Sequence, residues 1–178
     1  MILRGERIIL RPVIKDDYVY VFKWFNDKKI IDNIIGFRLS FSMGEALDWC
    51  ERASRIDDKN IKWIIETIGE KPKPIGFVGL YNIDFINKNA ESASLIGERE
   101  SRGMGIGYEA LNLKCNFAFN YLGVELIYGY ILSDNEPSLK LYEKIGFKKE
   151  GLLRRRVYRN GKWHDVVSLS ITKEEFNG

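Results

Sequence analysis

A chain of 178 residues has room for one domain with a single sizeable core. Its 45% apolar and 30% charged residues are those of a folded globular protein, not of a disordered or fibrous one. The net charge of +3 permits acidic ligands but falls short of the clustered basicity of a nucleic-acid binder.

With one histidine, His164, and two distant cysteines, Cys50 and Cys115, a metal site is close to excluded. The opening MILRGERIIL lacks the apolar run of a signal peptide, and no stretch reaches about 18 apolar residues. The expectation is a cytoplasmic protein with no membrane span.

Neither repeats nor a Pro/Gly/Ser linker divide the chain, so residues 1–178 read as a single domain. Glu6 to Leu10 suit a first strand ending at Pro12. Asp16 or Asp17 can cap a helix carrying Val19, Phe22, Trp24 and Phe25, and Ser42 can cap a second, MGEALDWCERAS. IKWIIETI and IGFVGLYNI are β-rich runs joined by GEKPKP, and ASLIG is a short strand entering a glycine-rich turn.

An amphipathic stretch follows from Tyr108 to Leu122, with Leu111, Cys115, Phe119 and Leu122 on one face. ELIYGYIL is a strand and EPSLKLYEKI a helix with proline in its first turn and Gly146 as C-cap. The tail reads as two strands reversed at Asn160-Gly161. A strand–helix–strand crossover makes one parallel pair, and short turns join most of the rest. The class is therefore α+β, or mixed α/β: a largely antiparallel sheet of about seven strands with helices on both faces, about four in all.

The turn ERESRGMGIGYEA places glycines at 103, 105 and 107 before a helix. Glycine lets backbone approach a ligand and adopt positive φ, and the first helical amides can then point at an anion. A Walker A loop would need Lys-Ser or Lys-Thr after Gly107, and a dinucleotide fingerprint would need GxGxxG spacing; neither is present. Three glycines at an ordinary helix start would each cost about 0.5–1 kcal/mol relative to alanine, so anion binding is the better reading.

Arg102, Gly105 and Gly107 fit the [QR]xxGx[GA] signature of the GCN5-related N-acetyltransferases (GNAT), and SDNEPSLKLYEKIGFKKEG resembles that family's second signature. The resemblance covers nearly the whole chain and is weakest over the first 60 residues. The LRP start, the WFNDKKI segment and the EG…NGKW.D tail look like the ribosomal-protein and amino-sugar acetyltransferases.

The resemblance implies that the fourth and fifth strands run parallel and splay apart. Acetyl-CoA would enter there as co-substrate, its pantetheine arm pairing with the fourth strand up to Ile96. Its pyrophosphate would lie on the amides of Gly103, Met104, Gly105, Ile106, Gly107 and Tyr108, with Arg102 adding charge.

The resemblance also makes Tyr142 the general acid. A phenol with pKa near 10 stays protonated at neutral pH and can donate to a departing thiolate. Its alternative is a packing residue of the helix. Asn135 and Ser138 touch pantetheine or phosphate in such proteins, and Asn135 can equally be an N-cap. Glu91 is the candidate general base, or a solvated strand-end charge.

Arg38 and Tyr81 are the candidate acceptor contacts. Trp24 and Phe37 read as core aromatics, while Asn26 and Asp27 share the acceptor-side region. His164 reads as a strand-end hydrogen-bonding residue, and Arg154 to Arg156 as an alternating, solvated run whose alternative is to attract a nucleotide diphosphate or an acidic protein partner.

Taken together, the residues point to an acetyl-CoA-dependent N-acetyltransferase acting on a primary amine, foremost that of a nucleotide-linked amino sugar or other small molecule. A peptide N-terminus is the alternative, with a non-catalytic CoA sensor behind it. Polycations are disfavoured for want of a carboxylate cluster, and nucleic acid is not an expected partner. Such proteins are often homodimers, but no seam for a second copy is legible in the sequence.

Overall fold

The computed structural model describes residues 1–36 and 39–177. An eight-stranded sheet of order β1-β2-β3-β4-β5-β6-β8-β7 forms its middle layer. The strands are β1 (Leu3–Arg4), β2 (Ile8–Pro12), β3 (Ile61–Thr67), β4 (Pro74–Asp84), β5 (Asn89–Ile96), β6 (Leu126–Leu132), β7 (Lys148–Arg159) and β8 (Lys162–Thr172). The helices are α1 (Tyr18–Asn26), α2 (Lys28–Ile31), α3 (Met43–Ala53), α4 (Ile106–Asn116) and α5 (Glu136–Ile145). The two-residue β1 and the four-residue α2 are too short to carry a periodic signal, and they account for the extra strand and helix.

Each face of the sheet has its own core. One is built from α4 and α5 against inward residues such as Ile8, Leu10, Val78, Leu80 and Ile127. The other gathers Trp24, Phe25, Trp49 and Cys50 of α1 and α3 against Ile64, Phe77 and Leu95. Helix α3 starts as its sequence dictates: Ser42 accepts from the Glu45 amide, while Glu45 reaches back to the Ser42 amide.

Asp17 does not cap α1. Its carboxylate, 2% exposed, accepts the Ile14 amide and both terminal nitrogens of Arg11, so it locks the β2–α1 corner instead. The hairpin turn between β7 and β8 takes positive φ at Asn160 (50°) and Gly161 (77°), as a tight reversal of right-twisted strands requires.

Strands β5 and β6 make the parallel pair, and they stay together only over Asn89↔Leu126, Ala90↔Ile127 and Glu91↔Tyr128. From Ser92 onward β5 pairs with β4 alone, so the two strands diverge and leave a main-chain edge beside a cleft. An irregularity accompanies the fork on the other side of β5. One extra residue in β4, at Asn82–Ile83 with Asn82 at φ 50°, shifts the β4–β5 register.

Candidate active site

Two clefts meet where the strands part. The first, about 510 Å³, runs over the glycine turn and the start of α5. Its charged lining residues among those described are Lys29, Arg102, Lys140 and Lys144, with no carboxylate. The second, about 670 Å³, lies on the other side of the fork beneath α1 and α3. They share Asn33, Ile34, Ser94, Leu95, Asn135 and Ser138, so a thioester in one can face an amine in the other.

The turn adopts the geometry its glycines permit. Gly103 and Gly105 have φ of 77° and 78°, and Gly105 is the left-handed N-cap of α4. The first helical bond runs from the Glu109 amide to the Gly105 carbonyl, leaving the amides of Ile106, Gly107 and Tyr108 without helical partners. At Gly107 a Cβ would meet Leu141 at 3.0 Å, so glycine also sets the spacing between α4 and α5.

Arg7 of the β1–β2 turn stitches this loop down, donating to the Met104 carbonyl at 2.6 Å and to Glu109 at 2.9 Å. Arg102 donates to the Ile96 carbonyl at 3.0 and 3.2 Å, tying the loop to the end of β5 and setting its own cation at the cleft wall. An amide cradle with four cations and no carboxylate fits a diphosphate.

Tyr142 projects from α5 into the fork. Its hydroxyl lies 2.9 Å from Ser92 Oγ and 3.4 Å from Ser94 Oγ of β5, and its ring lies against Gly129 of β6. It is 4% exposed, and burial raises its pKa, so it holds its proton at neutral pH. Asn135 caps α5 through the Ser138 amide at 3.3 Å, and it lines both clefts. Its Nδ2 also donates to the Asn33 carbonyl, fastening the loop after α2 to α5.

Glu91 stands at the last paired position of the fork and lines the second cleft. It accepts from Asn82 Nδ2 at 2.9 Å, so the β4 bulge positions the candidate base. Tyr81 lies opposite Glu91 in the sheet and lines the same cleft. The Lys62 ammonium sits 5.1 Å from the Tyr81 ring centroid, and burial pushes the Tyr81 phenol up. Arg38 and Phe37 lie outside the described residues.

Several expectations resolve away from the clefts. Trp24 is fully buried, with Nε1 donating to Glu98 at 3.0 Å. Asn26 pins Phe41 through both its amide and its carbonyl, and Asp27 caps α2. His164 Nδ1 pairs with Asp134 at 2.8 Å. The strict alternation expected of Arg154 to Arg156 is broken by a bulge between Leu153 and Val157, with Arg155 at φ 51°. Arg156 then reaches the second cleft, while Arg155 lies over the Trp163 ring.

Four site groups carry no motif in the sequence. Lys62 and Arg156 line the second cleft from β3 and β7. Arg159, 7% exposed, donates at 2.5 Å to the carbonyls of Asp32 and Ile34, holding the loop that walls both clefts. The fourth, Lys114, is fully buried beneath the fork and touches Ser92. A lysine in an amphipathic helix ordinarily extends its head to water, so nothing in the sequence marks this one. No group of His, Cys, Asp and Glu among the described residues could hold a metal ion, and no helix is long and apolar enough to cross a membrane.

Residues 7–148 match the family model described as Acetyltransferase (GNAT) domain. Over 174 residues, 97% of each chain, the sequence is 29% identical to the uncharacterized N-acetyltransferase YoaA of Bacillus subtilis (strain 168). It is 25% identical over 178 residues to the spermidine N(1)-acetyltransferase of Escherichia coli (strain K12), covering 97% of this chain and 89% of that one. The crystal structure of spermidine N-acetyltransferase from Vibrio cholerae in complex with CoA and spermine superposes with a TM-score of 0.86 at 23% identity, covering 98% of this chain and 100% of that one.

Proposed function

The chain belongs to the GNAT acetyltransferase family and transfers an acetyl group from acetyl-CoA to an amine, and on that premise we propose that its acceptor is a small primary amine joined to an anionic group, a nucleotide-linked amino sugar being the best fit. The observation that carries this reading is the charge of the acceptor-side cleft. Among the described residues its charged lining is Lys62, Arg156 and a single carboxylate, Glu91. Two cations facing one anion favour an anionic or dipolar ligand over a polycation. The rings of Phe25, Trp49, Phe77, Tyr81 and Tyr130 supply flat apolar walls for the rest of it.

In this reading the diphosphate of acetyl-CoA rests on the amides of residues 106–108 and the pantetheine arm lies along the open edge of β5. The amine nitrogen attacks the thioester carbonyl carbon, and the tetrahedral intermediate expels the thiolate. Glu91, directly or through one water, takes the proton from nitrogen. Tyr142 gives its hydroxyl proton to the sulfur. Each proton lost by the amine is thus matched by one gained at the thiolate.

A second reading has an observation of its own: two of the relatives above are named for spermidine. Thiol release from acetyl-CoA, measured across amino-sugar nucleotides, short peptides and spermidine, separates the two. Turnover with a sugar nucleotide and none with spermidine is the expected result. Spermidine turnover with none for the anionic amines would overturn the proposal.

A further inference from the structure

We propose that Lys114 is a positioning residue and proton reservoir for Tyr142, acting through Ser92; the inference rests on Tyr142 as the acid of the proposed reaction. Lys114 lies on the buried side of α4, between Leu111 and Cys115, and its side chain is 0% exposed. No carboxylate among the described residues forms an ion pair with it. Its Nζ donates to Ser92 Oγ at 2.5 Å and to the Ala93 carbonyl at 3.3 Å. An ammonium enclosed this way without a counter-charge is expensive, and a methionine of similar length would fill the same space at no such cost.

The geometry shows what the charge does. Ser92 Oγ stands between Lys114 Nζ and Tyr142 OH, 2.5 Å from one and 2.9 Å from the other. An ammonium has donors and no acceptor, so Ser92 must accept from Lys114. The serine proton is then left for the phenol oxygen. With its oxygen already accepting, Tyr142 must direct its own proton away from Ser92, toward Ser94 and the cleft where the sulfur departs. A neutral residue at position 114 would let Ser92 turn round and accept from Tyr142, which withdraws the acid proton from the cleft.

The same chain can refill the acid. When Tyr142 has given its proton to the thiolate, the Ser92 hydroxyl proton passes to the phenolate oxygen. A Lys114 N–H bond breaks to restore the serine hydroxyl, leaving a neutral amine. Water entering the cleft after the thiol leaves returns one proton along the same path.

Burial brings Lys114 down to about 8, while burial raises the Tyr142 phenol, so the transfer from ammonium to phenolate runs downhill. The titratable groups bearing on this chain are Cys115 on the same helix, Glu91 on β5 and Tyr142 itself on α5. β2 and β4, also packed on α4, contribute the apolar Ile8, Leu10, Val78 and Leu80 to this layer.

The test measures kcat against pH at saturating acceptor, with acetyl-CoA affinity by calorimetry and folding by thermal unfolding. In the wild type kcat should fall as pH rises through about 8, where Lys114 loses its proton. Lys114→Met should unfold no earlier than wild type and keep acetyl-CoA affinity. Its kcat should drop at least tenfold, with that alkaline limb abolished. Ser92→Ala should show the same profile, and Ser92→Thr, which retains the hydroxyl, should recover most of the rate.

Wild-type kcat and an unchanged limb in both Lys114→Met and Ser92→Ala would overturn the relay. If Tyr142→Phe in the same series loses turnover, the acid assignment survives that failure. Full turnover in Tyr142→Phe would bring down both.

Discussion

Glu98 offers the clearest physical test of how the fork is held. It lies two residues past the end of β5 and is 2% exposed, yet it collects three donors: Lys23 Nζ at 2.7 and 2.8 Å, Lys73 Nζ at 2.9 Å and Trp24 Nε1 at 3.0 Å. Burial alone would push this carboxyl up. The three hydrogen bonds and the nearby ammonium charges outweigh it and bring the pKa from 4.5 to about 2. At about 1.4 kcal/mol per pH unit, that difference corresponds to roughly 3 kcal/mol favouring the charged form in the folded protein.

The folded pKa lies below the unfolded one, so the contribution is complete above about pH 4.5 and lost as pH falls to about 2. Glu98→Gln is the matching perturbation: it keeps the shape and the bond from Trp24 but removes the charge. Lys23 and Lys73 are 61% and 47% exposed, so the variant strands no buried cation, and counterions make roughly 3 kcal/mol a ceiling.

Urea unfolding at a series of pH values is the assay. At pH 7 the variant should be less stable by about 2–3 kcal/mol, or about 4–12 °C in melting temperature for a chain of this size. The gap should close as pH approaches 2, where wild type carries a neutral carboxylic acid at the same place. A gap that stays constant with pH, or no gap at pH 7, would refute the reasoning.

Gly105→Ala should weaken acetyl-CoA binding several-fold in calorimetry, because φ of 78° costs a residue with a Cβ about 1–2 kcal/mol and that Cβ would stand 3.1 Å from the Arg7 guanidinium. Tyr142→Phe should lower kcat by about 100-fold or more while acetyl-CoA affinity, read by calorimetry, stays within twofold. Arg156→Gln should raise KM for an anionic amine about tenfold in the thiol-release assay and leave acetyl-CoA affinity unchanged.

The carrier side of the site was legible because its recognition is local in sequence. Glycines at 103 and 105 are read directly as positive φ, the helix after them as free amides, and Tyr142 as part of a compact strand–helix signature. Asn135 was visible for the same reason, since asparagine is a preferred N-cap and the Pro that follows suits a helix's first turn. Asp17 misled because Arg11, six residues earlier across a strand corner, competes for its carboxylate, and propensity has no term for that partner. Lys114 was hidden more deeply. It sits in an apolar stripe where a lysine ordinarily snorkels, and only the packing of α4 under β5 closes every route to water.

The second cleft is legible only in part, at residues such as Tyr81 and Glu91, for a reason that bears on what this enzyme can become. Its polar groups are spread over five strands and one helix: Lys62 from β3, Asn82 from β4, Glu91 from β5, Tyr130 from β6, Arg156 from β7, and Asn135, Ser138 and Tyr142 from α5 and its cap. No short segment contains two of the groups that set its charge. Two of them depend on backbone irregularities, Asn82 on the β4 bulge and Arg156 on the β7 bulge beside Arg155. A one-residue bulge such as that in β4 reverses which face every later residue of a strand presents, so one inserted or deleted residue exchanges a cleft side chain for a solvent one. Main-chain amides that hold a diphosphate tolerate many side chains, while the cleft opposite them changes with single steps in register. A fold with that division can keep its acyl donor and turn over its acceptors.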